Sequence, residues 1–151
     1  MKLSKTAIQQ FIDTWPIARL ATLNSEGRPH QVPVVFVHYE GLFWSPVDGK
    51  PKRAGELARI ANAIAHPGAS LLLDHYADDW SQLWWVRVDV ELQIVRLNID
   101  AKNALETTAA GVVDALRRKY SQYESTPVLR DRPTLLSMQS LSFSSWCAIP
   151  H

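Results

Sequence analysis

The sequence predicts a mainly β protein, an antiparallel β-barrel with helices at its rim. Three observations carry this. Six or so stretches are strand-sized and rich in β-branched and aromatic residues, most of them following one another through short connections. Helical periodicity is confined to three segments. Strict βαβα alternation is absent, which disfavours a doubly wound parallel sheet, and neither GxGxxG nor GxxxxGK[ST] occurs.

Ser4 precedes a helical pattern of Ala7, Ile8, Phe11, Ile12 and Trp15, and Pro16 stops it. The segment IARLATL, the polar turn Asn24 to Gly27 and then HQVPVVFVHY read as two strands joined by a hairpin turn. Gly41 marks the next turn and LFWSPV a third strand, so the three form a meander. After the loop DGKPKR, Ala54 to Ala65 carries Leu57, Ile60, Ala61 and Ile64 on one helical face and stops at His66-Pro67-Gly68. ASLLLDHY and WWVRVDVELQIVRL are two further strands. Asp100 can cap a third helix reaching Tyr120, whose Arg117, Arg118 and Lys119 suit a C-terminal dipole. Ser121 to Pro133 reads as a loop and TLLSMQSLSFSSWCAI as the last strand.

A chain of 151 residues with 46% hydrophobic and 21% charged residues fits one globular domain spanning 1–151. A net charge of +1 lacks the basic field of a nucleic-acid binder, and no apolar run reaches membrane-spanning length. Cys147 is the lone cysteine and no secretory leader is evident, which points to the cytoplasm. The histidines, His30, His38, His66, His75 and His151, show no metal-binding spacing, and His30 and His75 read as strand-end residues with satisfied hydrogen bonds. No G-x-S-x-G elbow is present and Cys147 has no basic neighbour, so no catalytic nucleophile, acid or base is assigned.

Two places could carry chemistry. Ser45 to Arg53, with Asp48, Lys50, Lys52 and Arg53, lies between a strand and a helix start, where cations, backbone donors and a helix N-terminus can cradle a phosphate or carboxylate; a solvated charged turn is the competing reading. Arg87 sits within the apolar WWVRVD, where burial requires a partner: Asp89, Asp74 or Asp48, or else an anionic ligand or ring carbonyl. Six Trp, with Trp80, Trp84 and Trp85 crowded together, suit core or interface packing.

The succession ARLATLNSEGRPHQVPVVF, LFWSPVDGKPKRAGELARIANAIAHPGASLLLDHY and WWVRVDVELQIV, with the later LRRKYSQY and FSSW, resembles the pyridoxamine 5′-phosphate oxidase-like split-barrel family. Within that family it is most similar to small members described as deazaflavin-dependent oxidoreductases. The resemblance implies an FMN-binding type of split β-barrel that forms a homodimer, with FMN or the 8-hydroxy-5-deazaflavin F420 between the subunits. It places Lys52 and Arg53 on the cofactor phosphate, with Lys50 as an added cation. Val32 to Phe36, Val32 and Val34 among them, would lie against the ring, and Ser45, Val47 and Asp48 would reach the ring and ribityl chain.

The family's Gln-Val-Arg triplet corresponds to Trp85-Val86-Arg87, which keeps the arginine and loses the amide, and Val90 stands where glycine is usual. The chain ends at His151 without the Arg-Leu-His segment that grips pyridoxamine phosphate, so vitamin B6 oxidation is not expected. What the resemblance implies is hydride transfer between a (deaza)flavin and a small planar substrate in a pocket lined by Trp80, Trp84 or Trp146, the cofactor supplying the chemistry. A flavin- or haem-binding module without turnover is the alternative.

Overall fold

The computed structural model describes residues 1–47, 57–98, 100, 102–129 and 133–149. The helices are α1 (Lys5–Thr14), α2 (Ala58–Ala65) and α3 (Ala104–Lys119). The strands are β1 (Ala18–Leu23), β2 (Pro29–Val34), β3 (Val37–Tyr39), β4 (Leu42–Pro46), β5 (Gly68–His75), β6 (Trp84–Arg96) and β7 (Thr134–Cys147). They make one seven-stranded sheet in the order β2-β1-β5-β6-β7-β4-β3, antiparallel at every pairing.

The edges of this sheet are consecutive in the chain. The segment read as the single strand HQVPVVFVHY breaks at Val35 and Phe36, and its halves pair at opposite edges, β2 with β1 and β3 with β4. Both hairpins of the expected meander form, β1 with β2 and β3 with β4, but its middle strand is split, and the sheet curls until two residues bridge its margins. The break is held from a distance. The Tyr120 hydroxyl accepts from the Phe36 amide at 3.0 Å, and its oxygen lies 2.9 Å from both the Phe36 and the Pro16 carbonyl oxygens, to which it can donate. Unpaired backbone groups at the bend are thereby satisfied inside the protein, where leaving them bare is costly.

The sheet encloses a core of Leu20, Phe36, Phe43, Leu71, Leu73, Val86, Val88 and Met138, and α1 lies over one end of it. Ser4 caps α1 as expected, its side chain accepting from the Ala7 amide. α3 packs outside β3 and β4 over a second cluster containing Trp44, Val112, Leu116 and Tyr123. Gly111 allows that close approach, because a Cβ there would collide with the Tyr39 hydroxyl. The cap of α3 is Asn103, which accepts from the Glu106 amide, rather than Asp100: it stands directly before the first helical residue. α2 begins at Ala58 and not at the expected Ala54: Leu57, expected on its apolar face, is the N-cap with an extended backbone, and 54–56 lie outside the described residues.

Lys119 closes the seam between α1, α3 and the strand break. Its ammonium donates to the Ile12 carbonyl at 3.2 Å and sits 3.8 Å above the Phe36 ring. Burial lowers its pKa from 10.5 to about 8, against the opposing pull of Asp13, while burial raises that of Tyr120 from 10.0 to about 12. Between pH 8 and 10.5 the unfolded chain holds the lysine proton that the folded chain has released, so stability rises with pH. Above pH 10 the unfolded chain loses the tyrosine proton first, so stability falls. Denaturation across this range should therefore show a maximum near pH 10. Lys119→Met should abolish the rise below it and leave the fall above.

Candidate functional site

Side chains directly opposite one another on neighbouring strands share a face of the sheet. On the outer face of β5, β6 and β7 the register aligns Asp74, Trp85 and Trp146 in one row, Leu72, Arg87 and Ser144 in the next, and Ser70, Asp89 and Ser142 in a third. Arg19 of β1 reaches Asp74 at 3.4 Å, Arg87 lies 3.9 Å from Asp89, and the Ser142 hydroxyl donates to Asp89 at 2.7 Å. The sheet thus presents an outer surface of indoles and paired charges. Arg87 is not buried, as its apolar neighbours suggested: Val86 and Val88 point inward, and the arginine between them keeps 51% of its side chain exposed.

A cleft of about 500 Å³ opens at the end of this surface, where β5 finishes and β6 begins. Its walls are Asp74, His75 and Tyr76 from β5 and the loop after it, Leu83, Trp84 and Trp85 from the start of β6, and Trp146 from β7. Trp84 forms the floor and is only 4% exposed; its ring stacks on Phe11 at 3.8 Å and meets Trp15 edge-on at 4.6 Å. Trp146 is 39% exposed and belongs to the wall. Trp80 does not line the cleft: it is 70% exposed on a short 3-10 turn, Trp80–Gln82, whose cap is Asp79. The Ser81 and Gln82 side-chain and backbone donors hold the Asp79 carboxyl below its ordinary pKa.

Among the described residues the His75 side chain has no hydrogen bond; its ring meets Trp15 edge-on at 5.4 Å. His30 likewise has a buried Nδ1 without a hydrogen-bond partner among them. The satisfied hydrogen bonds expected of both are not found. The sequence reading did not place Asp74, His75 and Tyr76 in a pocket, although DHYADDWSQLWW combines carboxylates and aromatics in one short run.

The remaining expected cofactor residues lie elsewhere. Asp48, Lys50, Lys52 and Arg53 fall outside the described residues. Val34, Ser45 and Val47 are buried, so their side chains point into the protein and only their backbone could meet a ligand; Val32 is half-buried on the edge strand β2. Ser45 pairs with Leu136, which pairs with Ile94, seven residues beyond Arg87 on β6, or about 23 Å at 3.3 Å per residue. Within one chain, then, Ser45 and Val47 stand far from Trp85 and Arg87.

This curled antiparallel sheet with peripheral helices is shared with solved split-barrel proteins of the pyridoxamine 5′-phosphate oxidase-like kind. An FAD-binding protein from Mesorhizobium loti matches at 15% identity and a TM-score of 0.69, covering 96% of this chain and 95% of its own. The haem storage protein HutZ from Vibrio cholerae matches at 14% identity and 0.64, covering 97% and 95%. An F420 reductase matches at 14% and 0.62, covering 90% and 94%. At these identities the likeness is one of fold. No protein-family model matches the chain, and no curated protein matches its sequence. No described helix is long and apolar enough to cross a membrane.

Proposed function

We propose that the protein is a cytoplasmic, homodimeric oxidoreductase that uses F420 or FMN to move a hydride to or from a small planar substrate. The observation that carries this reading is the outer row Asp74, Trp85 and Trp146 with Arg87 beside it, a flat aromatic surface with an exposed guanidinium next to an open cleft. Arg87 can donate to a ring carbonyl or phosphate, and the indoles can exclude water from one face of a planar ring. The separation of Ser45 and Val47 from Arg87 supports the dimer, since a second copy can bring one group from each chain to the same ring. The FAD-binding and F420-reductase neighbours support the cofactor class. F420 ranks ahead of FMN because Trp85 replaces the amide donor of the family's triplet.

Lys52 and Arg53 are the proposed phosphate clamp, with Lys50 beside them. A charge-assisted hydrogen bond contributes about 1.5–3 kcal/mol, so Lys52→Ala or Arg53→Ala should each weaken FMN or F420 binding about tenfold to a hundredfold. If these cations serve the cofactor and not the fold, the melting temperature without cofactor should hardly move. Titration of both variants checks this, and wild-type affinity in the double variant would return the loop to a solvated turn. FMN binding tenfold tighter than F420 would reverse the cofactor ranking. Turnover is tested by reducing the bound cofactor and following its reoxidation with planar acceptors. Light scattering at micromolar concentration tests the dimer.

One observation favours a second reading, a haem-binding module without turnover: His75 presents an imidazole with no hydrogen bond among the described residues, in an aromatic cleft. The HutZ neighbour lends support. On that reading, added haemin gives a Soret shift that His75→Ala removes.

A further inference from the structure

Trp80 is, among the described residues, the bulkiest apolar side chain left mostly in solvent. It does not ride on a loose loop. The Asp79 carboxylate accepts from the Ser81 amide at 3.0 Å and from the Gln82 side chain at 3.2 Å, and the Leu83 amide donates to the Trp80 carbonyl. Leu83 is fastened in turn to the end of β7, its carbonyl accepting from the Ala148 amide at 3.0 Å. Among the described residues no ring and no cation lies against the Trp80 indole. Tyr76, one residue past β5, and Ile149, next to Ala148, are exposed at the same end of the sheet. An aromatic held stiff but uncovered has little mobility left to lose, so covering it gains apolar contact at small entropic cost, and such residues anchor protein interfaces.

Two observations name what covers it. Within one chain Ser45 and Val47 stand far from Arg87, so a site using both needs a second copy on the outer face of β6, and Arg87 on that face is seven residues past Trp80. Charge agrees. The run from His75 to Trp85 carries the exposed Asp78 and Asp79 and neither lysine nor arginine, whereas the sequence after Val47 reads DGKPKR. We propose that Trp80 is a contact between two copies of this chain, its indole packed on the partner copy at the flank of the site the two share. This contact rests on the homodimer of the function proposed above.

The test uses the full chain without cofactor. Light scattering over a dilution series should show the dimer of Trp80→Ala weakened at least about tenfold. Asp79→Ala frees the turn but keeps the indole, and should weaken the dimer less. Leu105→Ala trims an exposed apolar residue on α3 and should leave the dimer unchanged. All three positions are exposed, so circular dichroism should match wild type. In protein labelled with fluorotryptophan, the fluorine resonance that Trp80→Phe removes should lose its solvent isotope shift as the concentration rises and regain it on dilution. A dimer that Trp80→Ala does not weaken, a Trp80 resonance that stays open to solvent in the dimer, or equal weakening by Leu105→Ala overturns the contact and leaves the homodimer reading in place. A wild-type chain that stays monomeric overturns both. Because no cofactor is present, failure of FMN and F420 to bind would strike the redox reading and leave the contact standing.

Discussion

Replacing Trp84 by alanine is expected to cost about 3–5 kcal/mol of folding free energy, the range for removing a buried large aromatic. The indole is almost completely enclosed and is the pivot of an aromatic group: Phe11 lies parallel to it at 3.8 Å, and Trp15 and His75 approach it at 4.6 and 6.3 Å. Phe11 and Trp15 hold α1 and its exit to the sheet together with the buried Ala7 and Ile12. Truncation therefore opens a cavity and loosens a helix together. A domain's stability is about 5–15 kcal/mol in total, so chemical denaturation should register a large shift, with α1 amides losing most hydrogen-exchange protection. Trp84→Phe should recover most of the loss. A cost below about 1.5 kcal/mol would mean that the cleft collapses onto the vacated space. Trp84, expected to line a substrate pocket, forms the floor of the cleft and also packs against α1.

Tyr120→Phe removes one oxygen and is expected to cost about 2–4 kcal/mol. The hydroxyl satisfies the Phe36 amide and shares its hydrogen between two carbonyls, all at the bend where one edge strand becomes the other. An orphaned buried donor or acceptor costs about 1–3 kcal/mol, and at least two groups are orphaned at once. Urea denaturation measures the loss. If it comes to less than about 1 kcal/mol, water has entered to replace the hydroxyl.

This bend also shows where local reading ends. VPVVFVHY reads as one β-forming run: its proline, Pro33, lies inside β2 rather than at the break, and no glycine marks Val35 and Phe36 as a junction. What breaks the strand is a tyrosine 84 positions further along the chain. By contrast, the long strands β6 and β7, the Ser4 cap and the stop at Pro16 were legible, because periodicity, capping and proline chemistry act over a few residues. At the site the density of tryptophan was legible, but its division of labour was not. Trp84 turns inward and Trp85 outward because they are neighbours on a pleated strand, and Trp80 leaves the cleft because Asp79 winds it into a turn. Arg87 has one of its expected partners, Asp89, but the alternation of the strand places it on the outer face and not among its apolar neighbours.

The position of β7 bears on how the protein is made. It follows the other six described strands in sequence, yet it lies between β6 and β4, pairing with the first from Trp84 to Arg96 and with the second from Phe43 to Pro46. A ribosome that has not passed Thr134 has released two hydrophobic strand margins that nothing yet joins, and the β3–β4 hairpin hangs from the remainder without a ladder. Closure of the sheet therefore waits for β7, which joins the two margins.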